Sequence, residues 1–242
     1  MTDSSAPEIA ATHHEPHGEG LQQKLNWLRA GVLGANDGIV STAGIVVGVA
    51  AATADRGAIG LAGVAGLVAG AVSMAAGEYV SVSTQRDSER ALIAKEREEL
   101  RSMPEEELAE LTQLYRDKGL SEELAHEVAT ELTRKDALKA HLDVELNLDA
   151  DDLTNPWVAA VASAISFTVG ALLPLLAILL LPEPIRVPLT FAAVIVALAL
   201  TGVISSRLGG SPTLRAVIRN VIGGALAMII TYVVGHLIGG TF

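Results

Sequence analysis

An apolar stretch long enough to cross a bilayer twice carries acidic residues inside it. Between Leu33 and Val80, the acids that fall within predicted spans are Asp37 and Glu78. A carboxylate at membrane depth costs several kcal/mol unless it faces a water-filled cavity, a partner group or an ion. The stretch therefore predicts membrane helices whose acids line an ion path.

The composition indicates a chain with some parts in the bilayer and others in water. Half of the residues are hydrophobic, yet the net charge is −11, and most of the 28 acids lie between Arg86 and Asp152. The chain has no cysteine, which excludes disulfides, thiolate zinc sites and iron–sulfur clusters. Any metal must then be bound by oxygen, imidazole or thioether. We find no Walker loop, dinucleotide fingerprint or nucleophile elbow, and we expect neither an enzyme nor a nucleic-acid partner.

The pattern predicts an all-α, multi-pass membrane protein with five transmembrane helices and an inserted cytoplasmic helical metal-binding domain. The predicted spans are 29–53, 58–83, 156–181, 187–208 and 213–239. The predicted domains are a disordered tail over 1–24, the first two spans over 25–85, the inserted domain over 86–153 and the last three spans over 154–242. The tail contains His13, His14 and His17, which either gather metal loosely or are simply solvated.

Glycines and prolines give local expectations. Asn36, Asp37 and Gly38 predict a break in the first span, and the prolines at 182, 184 and 188 predict a tight turn. Glycine pairs four residues apart occur in three spans, and such pairs let membrane helices approach closely. They are consistent either with a homodimer interface or with packing inside one protomer. The pairs are Gly44 with Gly48, Gly66 with Gly70, and Gly235 with Gly239.

Basic residues near the span ends predict the orientation. The opposite loops offer one arginine each, Arg56 and Arg186. The other side has more basic residues: Lys24 and Arg29 at the start of the first span, and Arg207, Arg215 and Arg219 at the fourth connection. Because the basic side of a membrane protein is normally cytoplasmic, we expect the N-terminus and the inserted domain inside the cell.

Met74 and Glu78 lie four residues apart on one face of the second span. A carboxylate with a thioether suits a borderline divalent ion such as Fe²⁺, and Asp37 could complete the site. The alternative is that Met74 only fills space and Glu78 reaches the membrane surface.

The inserted segment carries two Glu-x-x-Glu pairs, which place carboxylates on one helix face. The pairs are Glu96 with Glu99 and Glu107 with Glu110, and His141 and Glu145 lie four apart further on. Repulsion between facing carboxylates is relieved by cations or protons, which favours a metal site. Solvated acidic helix faces are the alternative.

A single Glu-x-x-His pair, Glu123 with His126, is the element that ferritin-like di-iron proteins use twice. The pair leaves open the alternative that the chain is a membrane-anchored protein that stores or oxidises iron without moving it. A scaffold whose acidic segment recruits a partner is a further alternative.

Several motifs together resemble the vacuolar iron transporter family, which includes nodulin-like proteins. They are GANDGIVSTAG over 34–44, MAAGEYVSVSTQRD over 74–87, the two Glu-x-x-Glu pairs and AHLDVEL over 140–146. The resemblance extends from about residue 25 to the end of the chain.

The resemblance implies a homodimer of five-helix protomers that exchanges cytosolic Fe²⁺, often also Mn²⁺, for protons. Carried over residue by residue, it assigns Asp37 and Met74 to the membrane metal path, with Glu78 as a neighbour. It assigns the cytoplasmic metal ligands to Glu96, Glu99, Glu107, Glu110 and Glu145. Plant relatives have a methionine pair before the last glutamate, where this chain has His141 and Leu142.

From residues and resemblance we predict a proton-coupled exporter of Fe²⁺ and Mn²⁺ from the cytosol, with Zn²⁺ or Co²⁺ as further ions. Its short loops and Ala/Gly-rich composition favour a bacterial plasma membrane.

Overall fold

The computed structural model describes residues 21–148 and 153–239, with backbone alone for residues 21–30. These ranges form seven α-helices and one π-helical turn, and they contain no strand. The helices are α1 (Leu21–Ala52), α2 (Arg56–Ser102), α3 (Pro104–Asp117), α4 (Glu122–His141), α5 (Pro156–Leu180), α6 (Glu183–Leu208) and α7 (Thr213–Gly239), and the π-helical turn is Leu142–Leu146. The three tail histidines lie outside the described residues.

Five of these helices are long and apolar enough to cross a membrane. They are Gly31–Ala52 of α1 together with α2, α5, α6 and α7. The prediction of an all-α protein with five membrane-spanning helices is therefore confirmed.

Helix α2 joins the apolar bundle to the charged segment without interruption. It has 47 residues, and at about 1.5 Å per residue it is about 70 Å long, more than twice the apolar thickness of a bilayer. The part of α2 that follows Val82 is rich in charged residues. This second half, which carries Glu96, therefore lies outside the membrane-spanning segment.

Helix α1 lies at the centre of the bundle and contacts α2, α5, α6 and α7. The predicted break at Asn36–Gly38 is wrong, because α1 is continuous through these residues. A Cβ atom at Gly38 would collide with the carbonyl oxygen of Phe167 on α5. The glycine thus permits close approach of two helices and does not loosen one.

The glycine pairs pack inside the protomer. Gly44 and Gly48 face Thr231 on α7, and a Cβ atom at Gly235 would collide with the backbone of Gly48. Close α1–α7 packing accounts for these glycines, so they give no support to a homodimer interface.

The predicted tight turn at the third connection is shorter than expected. Helix α6 begins at Glu183, four residues before the predicted start, and Pro184 lies in its first turn. Proline is tolerated there because the first N–H groups of a helix have no acceptor within the helix.

The inserted segment is helical, as predicted. Pro104 starts α3, and the Ser121 hydroxyl accepts a hydrogen bond from the N–H of Leu124 at the start of α4. Inside α4 the backbone is non-helical at Asp136, whose Oδ1 accepts from the N–H of Lys139 at 3.0 Å. Asp136 therefore caps the last part of α4, which carries His141.

Candidate metal centre

A small apolar core packs α3 against α4. Leu111 on α3 and Ala129 and Ala140 on α4 are buried in it. His141 directly follows Ala140, and Glu107 lies four residues before Leu111 on the same face of α3. The core thus places Glu107 of α3 beside the imidazole of His141, and Glu96 of α2 approaches the same ring.

Glu96, Glu107 and His141 form a buried cluster in which each offers a ligand atom within 4.8 Å of the others. The Nδ1 atom of His141 lies 3.0 Å from Oε1 of Glu96 and 3.7 Å from Oε2 of Glu107. The side chains are 0%, 5% and 6% exposed for His141, Glu96 and Glu107, respectively. Carboxylates are rarely buried to this extent without a partner that offsets the lost hydration.

The atoms of this cluster lack hydrogen-bond partners among the described residues. Glu96 Oε1 and both ring nitrogens of His141 are buried without one, because the 3.0 Å contact does not have hydrogen-bond geometry. A cation bound among these oxygen and nitrogen atoms would supply the partner that they lack. Two carboxylates with an imidazole suit Fe²⁺, Mn²⁺ or Zn²⁺.

The electrostatics of the cluster favour protons or cations. Burial, followed by repulsion from Glu145 and Glu107, raises the pKa of the Glu96 carboxyl to about 7. Burial and then Glu110 raise the pKa of Glu107, while His141 acts in the opposite direction. Without a metal, the cluster therefore takes up protons near neutral pH.

The remaining predicted ligands surround the buried cluster. Glu145 lies in the π-helical turn, with its Oε2 3.7 Å from Nδ1 of His141. Such turns are frequent at functional sites, because they redirect side chains within a helix. Glu99 is half-buried and paired with Lys95 at 2.7 Å, and Glu110 is exposed. Both lie close enough to Glu96 to raise its pKa.

Glu123 and His126 do not join this cluster. Both side chains are exposed on α4. The Glu-x-x-His pair thus lies on a solvent-exposed face of α4 in the protomer.

A second site lies among the membrane helices. Asp37 on α1 and Met74 on α2 line one cavity of about 500 Å³. Asp37 accepts a hydrogen bond from the Ser41 hydroxyl at 2.9 Å. Glu78, one helical turn beyond Met74, is half-buried and is not part of this lining.

Sequence reasoning missed the contribution of α7 to this cavity. Arg219 and Asn220 line it opposite Asp37 and Met74, and Asn36 lines it beside Asp37. Arg219 was interpreted only as an orientation signal. Its position, two turns inside an apolar span, was the available indication of another role.

Residues 28–236 match the sequence profile of the VIT family. The chain belongs to the VIT family. The predicted resemblance is confirmed, and the family match together with five apolar helices establishes an integral membrane protein.

Relatives in the VIT family are similar over most of their length. A vacuolar iron transporter of Acanthamoeba castellanii is 42% identical over 212 residues, which are 87% of this chain and 78% of that protein. Vacuolar iron transporter homolog 1 of Oryza sativa is 39% identical over 89% of this chain and 75% of its own. Vacuolar iron transporter homolog 2.1 of Arabidopsis thaliana is 34% identical over 99% of this chain and 94% of its own. These relatives are named for transport, and the expectation of a non-enzymatic protein is confirmed for the family.

Proposed function

We propose that this protein exports Fe²⁺, and also Mn²⁺, from the cytosol in exchange for protons. The observation that carries the proposal is the buried cluster of Glu96, Glu107 and His141. Its ligand atoms lie within 4.8 Å of one another, and those of Glu96 and His141 lack hydrogen-bond partners. The names of the VIT-family relatives agree with iron as the transported ion. Zn²⁺ and Co²⁺ are further ions that this mixed oxygen and nitrogen site would accept.

In this proposal the cytoplasmic cluster collects the ion. Glu96, Glu107 and His141 bind it directly, and Glu145, with its Oε2 3.7 Å from the imidazole, approaches as a further ligand. Glu99 and Glu110 lie around the cluster and concentrate cations by their charge. Metal binding releases the protons that the raised pKa of Glu96 retains near neutral pH.

The ion then passes through the membrane cavity. Asp37 offers a hard oxygen and Met74 a softer sulfur in the same cavity, a combination that suits Fe²⁺ better than Mg²⁺ or Ca²⁺. Glu78 lies further along α2, on the side of the cytoplasmic half of the helix, and would pass the ion to Asp37 and Met74 or hold a proton. Coupling arises because the same carboxylates bind either metal or proton.

The orientation and the homodimer belong to the same proposal. Basic residues near the ends of the spans favour a cytoplasmic N-terminus and inserted domain, in a bacterial plasma membrane. Only 11% of the apolar window of α2 is buried within the protomer. That open helix, which carries Met74 and Glu78, supports a second copy of the chain beside it, with the metal path at their interface.

The storage or ferroxidase alternative loses its main support. It depended on Glu123 and His126, which are exposed and apart from the buried cluster.

Metal uptake into sealed proteoliposomes tests the proposal. Wild-type protein should move Fe²⁺ under reducing conditions, faster with an imposed pH gradient, and Asp37→Ala and Met74→Ala should abolish the flux. Leu200→Ala, an exposed apolar position on α6, is a matched control and should transport normally. Bound metal without flux in the wild type would support storage instead.

A further inference from the structure

The membrane cavity contains a permanent positive charge beside the proposed cation site. Arg219 lines the same cavity of about 500 Å³ as Asp37 and Met74. A guanidinium stays protonated in proteins, so it repels any divalent ion held at Asp37. A cavity that served only to bind a cation would hold it more tightly without this residue.

Arg219 has no fixed partner in the described parts of the chain. None of the ion pairs or side-chain hydrogen bonds among residues 31–148 and 153–239 involves it, although neighbouring Asn220 approaches the Thr201 hydroxyl at 3.5 Å. Its side chain is exposed in the protomer. An arginine side chain is long and has many rotamers, so Arg219 can approach or leave Asp37 without a change in the helix backbone.

Asp37 also lacks a permanent counter-ion. Its partner among the described residues is the neutral Ser41 hydroxyl. An ionised carboxylate at this depth is costly without a partner, also in the interval between metal release and proton uptake. Within the cavity, Arg219 is the cationic residue that lines the same space.

We infer that Arg219 is the internal counter-ion of the transport cycle, which pairs with Asp37 after metal release and before proton uptake and so limits how tightly the metal binds. This inference rests on the proposed transport function. With metal bound, Arg219 turns away towards solvent or lipid phosphates, and after release it pairs with Asp37. Because Arg219 competes with the metal for Asp37, it weakens metal binding and speeds turnover.

The test is steady-state Mn²⁺ uptake by proteoliposomes that contain wild type, Arg219→Gln, Arg219→Lys or Arg215→Gln. Arg215 lies one turn earlier on α7, is exposed and does not line the cavity, which makes it the matched control. Arg219→Gln should lower KM about fivefold and lower kcat several-fold, because the ion binds more tightly and leaves more slowly. Arg219→Lys keeps the charge and should retain most of the wild-type values, as should Arg215→Gln.

The outcomes separate this inference from the function on which it rests. If the wild type transports and Asp37→Ala does not, but Arg219→Gln leaves KM unchanged or raises it, the counter-ion role is wrong and transport stands. Equal loss of inserted protein in Arg219→Gln and Arg215→Gln, with unchanged KM, would identify both arginines as membrane anchors and likewise overturn the inference. Absence of uptake by the wild type would remove both proposals.

Discussion

The Nδ1 atom of His141 lies 3.0 Å from Oε1 of Glu96, and neither atom has a hydrogen-bond partner among the described residues. The two residues are far apart in sequence and meet because α4 packs back onto the charged half of α2. Both are almost completely buried. A contact of this kind is stable only when one of the two groups is protonated or a cation binds both.

Replacement of His141 by alanine should weaken metal binding by the full-length protein at least about tenfold, because the cluster loses its nitrogen ligand. Titration calorimetry with Mn²⁺ in detergent measures the change. His126→Ala is the matched control, since His126 is exposed on the same helix and lies outside the cluster. Equal affinity in His141→Ala and wild type would remove His141 from the ligand set.

The metal-free protein should become less stable as the pH rises from 5 to 8. The pKa of Glu96 is raised in the folded state from 4.5 to about 7, so the folded protein binds the proton more tightly than the unfolded chain does. This contribution to stability is fully present below about pH 4.5 and is lost as the pH rises through 7. It amounts to at most about 3 kcal/mol.

Thermal unfolding in detergent with a chelator present tests this pH dependence. Glu96→Gln should flatten the curve between pH 5 and 8, whereas Glu123→Gln, at an exposed position, should leave it unchanged. Added Mn²⁺ should restore the stability of the wild type at pH 8, because the cation replaces the proton. A wild-type midpoint that rises with pH in the chelator would contradict the assignment.

Gly38→Ala should destabilise the bundle strongly. The new Cβ atom would collide with the Phe167 carbonyl oxygen, and two backbones would have to separate at the centre of the fold. Overpacking of this kind costs about 1–3 kcal/mol or more. Gly31→Ala affects the same pair of helices but meets only Ser166 Oγ at 3.6 Å, so it should be tolerated. Equal thermal midpoints for the two variants would show that the helices separate easily.

Arg186→Met should lower the thermal midpoint more than Arg56→Met. Arg186 is 3% exposed and donates to the carbonyl oxygens of Ala54 at 3.2 Å and Thr53 at 3.5 Å, just after the end of α1. Its loss removes two part-buried hydrogen bonds from a charged donor, at a cost of about 1.5–3 kcal/mol. Arg56 makes the corresponding bond to the Leu181 carbonyl oxygen at 3.1 Å, but that bond is exposed to solvent. A larger effect at Arg56 would contradict this order.

The sequence contained most of the architecture because apolar length and charge are sufficient to predict membrane spans. The final span, predicted over 213–239, coincides with α7. The Asn36–Gly38 prediction failed because a glycine in a helix has the same sequence signal whether it breaks the helix or admits a neighbour. Phe167, which decides between the two, is distant in sequence.

The candidate sites were only partly predictable, because their residues come from helices that are distant in sequence. Helical spacing grouped Met74 with Glu78, and the family resemblance added Asp37. Asp37 and Met74 line one cavity, but neither signal could identify Arg219, which comes from another helix. Likewise, the Glu-x-x-Glu pattern gave Glu96 and Glu99 equal weight. Packing separates them, since Glu96 is buried beside His141 and Glu99 is paired with Lys95 near the surface.

The most direct test of proton-coupled export is proton movement driven by a metal gradient alone. Proteoliposomes with equal internal and external pH would carry a pH-sensitive dye, and Mn²⁺ would be added outside. Our account predicts that Mn²⁺ entry acidifies the external medium and makes the interior alkaline, and that Asp37→Ala abolishes both changes. Mn²⁺ entry without any change in internal pH, at a voltage clamped by valinomycin and potassium, would contradict antiport.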